Sequence, residues 1–301
     1  MKEKFSVLLG IDVETDVGSF TPFYESAQKG VPLLLDLFAD AGVKGTFYFT
    51  GDAAKQNSAI AKLTAESGNE IGCHSLYHET VGDELFPIPG VKPLLPHEVE
   101  PRLKIATDWV FEACGVKPVS FRAPRLWGST AVVNALEKLG YQSDASYPMY
   151  FYRKRFVPYY PSRDNWLEEG ESKVLEIPNF ADMVMESKDK PLERDRDQWP
   201  AFRTEGADFV LNKVKGFLSF AKNYGNKRVV CFYLHPWEFI PCKKSYNFGE
   251  ATVIPDGFIT KNTGNKALLE LKKMISELLK LGAEFKTAKE IAADFAADRR
   301  I

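Results

Sequence analysis

Short apolar runs alternate along the chain with helical patterns that end at a glycine, and this alternation restricts the fold more than any other feature. The apolar spacing over residues 30–41 predicts a helix that ends at Gly42, and residues 57–67 repeat the pattern before Gly68. Further helices are predicted at 98–114, 129–139, 265–281 and the C-terminus, and strands at 5–11, 45–50, 70–74, 118–122, 141–143, 174–177, 229–234 and 283–285. Such alternation is typical of βα units around a largely parallel sheet.

The number of units indicates the architecture. Seven or eight βα units predict an α/β fold, a distorted (β/α) barrel of about seven strands. The 301 residues contain no internal repeat and no low-complexity linker, so we expect residues 1–301 to form one domain. Four long segments rich in aromatic, proline and charged residues interrupt the pattern, at 79–96, 150–171, 185–206 and 238–262. Such loops are either lids or groove walls around a site, or surface elaboration, and the sequence leaves both open.

Composition and charge exclude several classes of protein. The chain is 45% hydrophobic and 27% charged with a net charge of -2, so no bulk electrostatic attraction to nucleic acid or to an anionic membrane is expected. The basic cluster Arg153–Arg155 is interpreted first as a solvated loop and second as a contact for a phosphate-bearing substrate.

The N-terminal apolar run is too short for a signal-peptide core, and no run approaches the ~20 residues of a membrane span. We therefore expect a cytoplasmic protein without membrane insertion. Its four scattered cysteines, Cys73, Cys114, Cys231 and Cys242, are expected to be free thiols.

Three of the four histidines lie at or just after predicted strand ends, where the active sites of α/β barrels are found. His74 and His78 are spaced by four, which on a helical turn would put both imidazoles on one face and within reach of one metal ion. Two histidines and one carboxylate would leave a position open for water, as catalytic zinc sites do. His235 follows the strand at 229–234, whereas His97 is interpreted as part of a helix start.

Charged residues follow other strands. Asp12 and Glu14 come two apart at the end of the first strand, so both should point toward the same side of the site. Asp16 is interpreted as a turn or helix-capping carboxylate. Arg122 and Asp144 follow later strands, and Arg122 could bind a carboxylate or a substrate oxygen, or form an ordinary surface ion pair.

Five segments taken in order, IDVET, HSLYH, RAP, SDAS and LHP, resemble the motifs of the polysaccharide deacetylase family, whose shared unit is the NodB homology domain. They span Asp12 to Pro236. Asp12-Val13-Glu14 replaces the usual pair of adjacent aspartates, a form similar to the branch of intracellular peptidoglycan-deacetylase-like and allantoinase-like proteins and aminoarabinose-lipid deformylases. The fourth motif lacks the tryptophan that typically follows its aspartate.

The resemblance implies a divalent ion, Zn²⁺ first with Co²⁺, Ni²⁺ or Mn²⁺ as alternatives, held by Glu14, His74 and His78. It implies that Asp12 is the base and that His235 is the acid. Arg122 would then hold Asp12, and Asp144 would keep His235 charged. Because glutamate is one methylene longer than aspartate, three outcomes stay open: Glu14 reaches the ion, Asp12 takes the ligand role, or metal affinity falls.

The implied function is hydrolytic removal of an acetyl or other N-acyl group from an amino-sugar substrate. The alternatives are opening of a cyclic amide or ureide, deformylation of a lipid-linked amino sugar, and a metal-free carbohydrate-binding relic. Three aromatic loop residues, Tyr159, Tyr160 and Trp166, could stack on a sugar ring or be buried within their loop. Formation of a homo-oligomer stays open.

Overall fold

A curled parallel sheet forms the centre of the molecule, which we describe from a computed structural model for residues 4–299. Its strands are β1 (Phe5–Val13), β2 (Thr46–Phe49), β3 (Glu70–Cys73), β4 (Ser120–Phe121), β5 (Ser143–Asp144), β6 (Leu175–Glu176), β7 (Val229–Leu234) and β10 (Ala283–Phe285). A separate antiparallel hairpin contains β8 (Tyr246–Phe248) and β9 (Ala251–Val253).

Every pairing in the main sheet is parallel. β7 and β2 pair with opposite edges of β1, the sheet continues from β2 through β3, β4 and β5 to β6, and β10 pairs with the first residues of β1. Beyond β6, Asn179 forms a parallel bridge with Cys231 of β7, and the Phe180 amide donates a hydrogen bond to the Cys231 carbonyl at 2.8 Å. The two ends of the sheet therefore meet, and the predicted distorted (β/α) barrel of about seven strands is confirmed.

Helices cover the outside of the sheet, because each strand leads into an amphipathic segment whose apolar side packs against it. The longer helices are α1 (Glu25–Ala41), α2 (Gly51–Gln56), α3 (Ser58–Glu66), α4 (Pro96–Cys114), α5 (Thr130–Leu139), α6 (Ala207–Ala221), α7 (Asn265–Leu281) and α8 (Ala288–Asp298). Short α-helical turns occur at Asp16–Ser19, Met149–Tyr152, Ala201–Thr204 and Gly257–Thr260, and 3₁₀ turns at Pro124–Leu126, Arg194–Arg196 and Pro236–Phe239.

Glycine ends the helices where the sequence pattern predicted it. α1 ends at Gly42, whose φ of 64° is left-handed and favours glycine. The predicted α7, β7 and β10 have the observed limits, and the other predicted elements shift by only a few residues at most ends, apart from α1, which begins at Glu25. Asp16 accepts hydrogen bonds from the amides of Glu25 and Ser26, so it caps the start of α1 as interpreted.

Surface features also agree with the sequence. Arg153 pairs with Glu193, and Arg155 pairs with Glu168 and Glu169, so the basic cluster is neutralised by its neighbours. The four cysteines are free thiols. Within residues 4–299, the helices include none with the length and apolar character needed to cross a membrane.

Candidate active site

The carboxyl end of β1 brings two acidic side chains to one cavity. Asp12 lies in β1 and Glu14 follows it, and the alternation of a strand turns both toward the cavity that they line. Both are buried, with relative exposures of 3% and 2%. The two carboxylates nevertheless have different partners, which separates their chemical roles.

Asp12 pairs with Arg122, which follows β4. Its Oδ1 accepts a hydrogen bond from Arg122 Nη1 at 2.8 Å, and the guanidinium is fully buried. Arg122 also donates from Nε to the Ala145 carbonyl, and its guanidinium carbon lies 4.5 Å from the centre of the Tyr48 ring. Burial alone would lower the pKa of Arg122, but the Asp12 charge raises it, so the group stays a cation. The surface ion-pair alternative for Arg122 is therefore wrong.

Glu14 meets the two histidines of HSLYH. Its Oε2 lies 2.6 Å from His78 Nε2 and 3.5 Å from His74 Nε2. Within residues 4–299 these three side chains form a group whose ligand atoms all lie within 4.8 Å of one another. The longer glutamate therefore reaches both imidazoles, whereas Asp12 is engaged by Arg122.

This donor set fits a divalent cation. The Nδ1 of His74 donates to the Arg122 carbonyl at 2.7 Å, which leaves the lone pair of His74 Nε2 facing Glu14. Burial lowers the pKa of His78 although Glu14 opposes this, so His78 is neutral at pH 7, the form that binds metal. Glu14 Oε2 is buried and has no hydrogen-bond donor among the described residues. Two imidazole nitrogens and one carboxylate oxygen match the ligands of catalytic zinc sites.

The local conformation of this motif differs from the prediction. The expected helical turn over residues 74–78 is wrong, because Ser75 and His78 both have φ of 62° and the segment is a loop. Glu79 holds that loop by accepting hydrogen bonds from the Tyr77 amide at 2.6 Å and the Ser75 hydroxyl at 3.0 Å. The two imidazoles converge through loop geometry, with ring centres 5.1 Å apart.

His235 follows β7 and is positioned by Glu238. Glu238 Oε1 accepts from the His235 amide at 3.0 Å and lies 3.1 Å from its Nδ1. Burial lowers the pKa of His235, but the Glu238 hydrogen bond and the charges of Glu14, Glu238 and Asp12 outweigh it, so the pKa lies above its usual value. Fully buried Arg203 donates from Nε to the other Glu238 oxygen at 2.6 Å.

The prediction that Asp144 keeps His235 charged is therefore wrong. Asp144 accepts from the Ser146 hydroxyl and pairs with buried Glu176 across neighbouring strands, and it does not line the cavity. Burial raises the pKa of Asp144 to about 7 and that of Glu176 well above its usual range, so this carboxyl pair retains a proton. Glu238, three residues after His235 in LHPWE, is the residue that the sequence reasoning missed.

The cavity has a volume of about 360 Å³ and is bounded by aromatic side chains. None of the three predicted aromatics lines it: Tyr159 and Trp166 are buried in their own loop, and Tyr160 lies under Arg299. Of the two alternatives that the sequence left open, burial within the loop is therefore correct for Tyr159 and Trp166. The aromatic side chains that do line the cavity are Phe20, Phe86, Tyr150, Trp199, Tyr233 and Trp237.

A third carboxylate, Asp197, also lines the cavity and was not predicted. It accepts a hydrogen bond from the Tyr233 hydroxyl, and burial raises the pKa of Asp197 to about 6. It lies in the long loop at 185–206, where no motif or strand end marks it. That loop therefore forms a wall of the cavity.

Comparison with known proteins supports the same assignment. The family described as polysaccharide deacetylase matches residues 15–143. A peptidoglycan-N-acetylmuramic acid deacetylase of Bacillus subtilis (strain 168) is 26% identical over 113 residues, 37% of this chain and 39% of that protein. The chain spans less than half the length of the curated relatives it matches.

Two solved structures show the likeness of fold. One is described as a putative polysaccharide deacetylase from Mycobacterium smegmatis, with a TM-score of 0.65 and 16% identity over 99% of this chain and 92% of that one. The other is a CE4 family pseudoenzyme from Bacillus anthracis, with a TM-score of 0.53 and 16% identity over 97% of this chain and 66% of that one.

The fold and the matched motifs define a NodB-type (β/α) barrel. The family model described as polysaccharide deacetylase matches residues 15–143, less than half of the chain, and the solved structures share the fold over nearly its whole length.

Proposed function

We propose that this protein is a metal-dependent hydrolase that removes an acetyl or related N-acyl group from an amino-sugar substrate. The observation that carries the proposal is that three groups line one cavity. The first is Glu14 with His74 and His78, the second is Asp12, and the third is His235. Arg122 supports both His74 and Asp12, and Glu238 supports His235, so ligand, base and acid would be different residues.

Glu14, His74 and His78 would hold the metal, and Zn²⁺ suits their two nitrogens and one oxygen. A bound divalent ion would lower the pKa of a water toward ~7 and polarise the amide carbonyl. The residues around it would complete the reaction. The fixed tautomer of His74, set by the Arg122 carbonyl, orients one ligand before any ion arrives.

Asp12 would take the proton from the attacking water. The buried Arg122 cation pairs with Asp12 and holds its Oδ1 in place, as a general base requires. His235 would then protonate the leaving amine, because Glu238 favours the imidazolium and fixes its Nδ1. Each proton transfer is worth about 10²–10⁴-fold in rate.

The size of the cavity favours a substrate that places a single ring in the site. Its volume of about 360 Å³ falls within the range of small-ligand pockets, and Phe86, Ile88 and Ile259 are among the residues that line it. The same feature favours the second candidate, hydrolysis of a small cyclic amide or removal of a formyl group from an amino sugar. A carbohydrate-binding relic would not need the Asp12–Arg122 and His235–Glu238 pairs. Cytoplasmic location and the oligomeric state stay predictions.

The first test is the metal content of the purified protein, measured by mass spectrometry for the wild type and for the double variant His74→Ala with His78→Ala. His97→Ala is the matched control, because that histidine is exposed on α4. We expect about one transition-metal ion per chain in the wild type and control, and none in the double variant.

The second test is a screen of N-acyl sugars and cyclic amides for released acid or amine. Release of acetate from an N-acetyl sugar that depends on His74 and His78 would support deacetylation, and release of formate or ring opening would support the second candidate. Absence of metal in the wild type after incubation with Zn²⁺, Co²⁺ or Ni²⁺ would contradict both and favour the relic.

A further inference from the structure

Two arginines that the proposed chemistry does not use, Arg125 and Arg194, line the same cavity as the candidate ligands. Neither forms an ion pair with a carboxylate within residues 4–299. Arginines elsewhere behave differently: Arg155 pairs with two glutamates, and Arg163 pairs with Glu137. A guanidinium presents donors in a planar fork that matches carboxylate and phosphate oxygens.

Arg125 is half-buried beside the candidate metal ligands. Its Nη1 donates to the His78 carbonyl at 3.1 Å and to the Thr80 hydroxyl at 3.3 Å, while its Nε and Nη2 have no acceptor in the described part of the chain. Arg125 and the next residue, Leu126, both have φ of 61°, an uncommon conformation for residues other than glycine. The backbone therefore adopts a costly conformation where it places these donors at the cavity.

Arg194 also lines the cavity and is more exposed than Arg125. Its guanidinium carbon is 5.0 Å from the centre of the Phe86 ring, so the ring supports the cation without neutralising it. Two of the nearby carboxylates have other partners: Asp12 pairs with Arg122, and Asp197 accepts a hydrogen bond from the Tyr233 hydroxyl. Arg125 and Arg194 therefore line the cavity without a direct ion pair among residues 4–299.

We propose that Arg125 and Arg194 bind an anionic group of the substrate, a carboxylate or a phosphate, and that the protein selects charged N-acyl amino sugars over neutral ones. This inference rests on the proposed function for its reaction but not for its binding site. It names a substrate class that the candidate metal, base and acid groups leave open.

The test compares three probes with the zinc-loaded protein: N-acetylglucosamine, its 6-phosphate, and N-acetylmuramic acid, which carries a carboxylate. We expect kcat/KM to be higher for at least one charged probe than for the neutral one, and the better probe identifies phosphate or carboxylate. Arg125→Gln and Arg194→Gln should each reduce that ratio by about 10- to 100-fold, the worth of a charge-assisted hydrogen bond. Arg163→Gln, a surface control remote from the cavity, should leave it unchanged.

A binding measurement separates this inference from the proposed function. The same probes are titrated into the protein by calorimetry in the presence of a chelator. The chelator removes the metal ion, so the phosphate cannot bind to it. Binding of a charged probe that is lost in Arg125→Gln or Arg194→Gln but kept in Arg163→Gln supports the anion site even if no probe is hydrolysed. Arg194 is exposed, so its variant remains informative if Arg125→Gln does not fold.

Two results would overturn the inference. One is equal binding and equal kcat/KM for neutral and charged probes in the wild type. The other is a fall in kcat of the same size for all probes in Arg125→Gln with no change in KM, which would show that the arginine stabilises the transition state rather than a substrate anion.

Discussion

Replacing Glu238 with glutamine should move the basic limb of the pH–rate profile to lower pH. At the 3.1 Å between His235 Nδ1 and Glu238 Oε1, a charge pair contributes about 5 kcal/mol with an effective dielectric constant of about 20. Burial lowers the pKa of His235 in the wild type and the variant alike, so loss of the Glu238 charge should decrease that pKa. Because the protonated imidazole is the proposed acid, activity should persist at low pH and fall about 10-fold or more at pH 8.

The same change should destabilise the fold. Glu238 and Arg203 both have side-chain exposure of 0%, and removal of one partner from a buried ion pair costs about 3–5 kcal/mol. The assay is kcat/KM from pH 5 to 9 with acetate release as the readout, at a temperature where circular dichroism shows the variant to be folded.

Asp144→Asn is the matched control, because the resemblance to the family assigned that residue the same role. We expect its basic limb to coincide with that of the wild type. A folded Glu238→Gln variant with an unchanged basic limb, or a shift in Asp144→Asn instead, would refute the assignment of Glu238.

Three further changes probe other parts of the site. Gly10→Ala would place a Cβ 2.3 Å from both terminal nitrogens of Arg122, so activity should fall about 100-fold and the free energy of unfolding by about 1–3 kcal/mol. Gly257→Ala is the control, because its Cβ would meet nothing within 4 Å, and it should leave activity and stability unchanged. Asp12→Asn should lower kcat by about 10²–10⁴-fold with metal content unchanged; loss of the metal would make Asp12 a ligand. In the buried pair Asp144 and Glu176, both pKa values are raised on folding, so the free energy of unfolding should fall as the pH rises from about 4 to about 7. Glu176→Gln should remove about 1–2 kcal/mol of that fall, measured by urea unfolding. An unchanged pH dependence in the variant would contradict this.

Strand ends were the most predictable part of the site. Asp12, Glu14 and Arg122 were located correctly because parallel strands carry successive residues to the same edge of a barrel, whatever the loops do. Three histidines were found in the same way, and the resemblance to the family then assigned their roles. The strand-end argument and the order of the family motifs did not need the exact ends of the strands, which the sequence predicts only to within a few residues.

Loop conformation was not predictable in the same way. The HSLYH segment has helical spacing, yet left-handed residues at Ser75 and His78 turn it into a loop, and no glycine signals them. Glu238 reaches His235 through a 3₁₀ turn at Pro236–Phe239, a contact that depends on where that turn begins. Asp197 and Arg194 come from a long loop whose path is set by packing against β7 and not by local pattern.

Arg122 explains why base and ligand can work together in so small a cavity. Its carbonyl accepts from His74 Nδ1 and so fixes which nitrogen faces Glu14, while its guanidinium pairs with Asp12. One buried residue therefore sets the positions of a proposed metal ligand and of the proposed base relative to each other. Lysine could supply the charge, but it has no planar fork to donate to Asp12, the Ala145 carbonyl and the Phe232 carbonyl together. Gly10 leaves the space that this guanidinium fills, so the shape of β1 and the chemistry of the site depend on the same two residues.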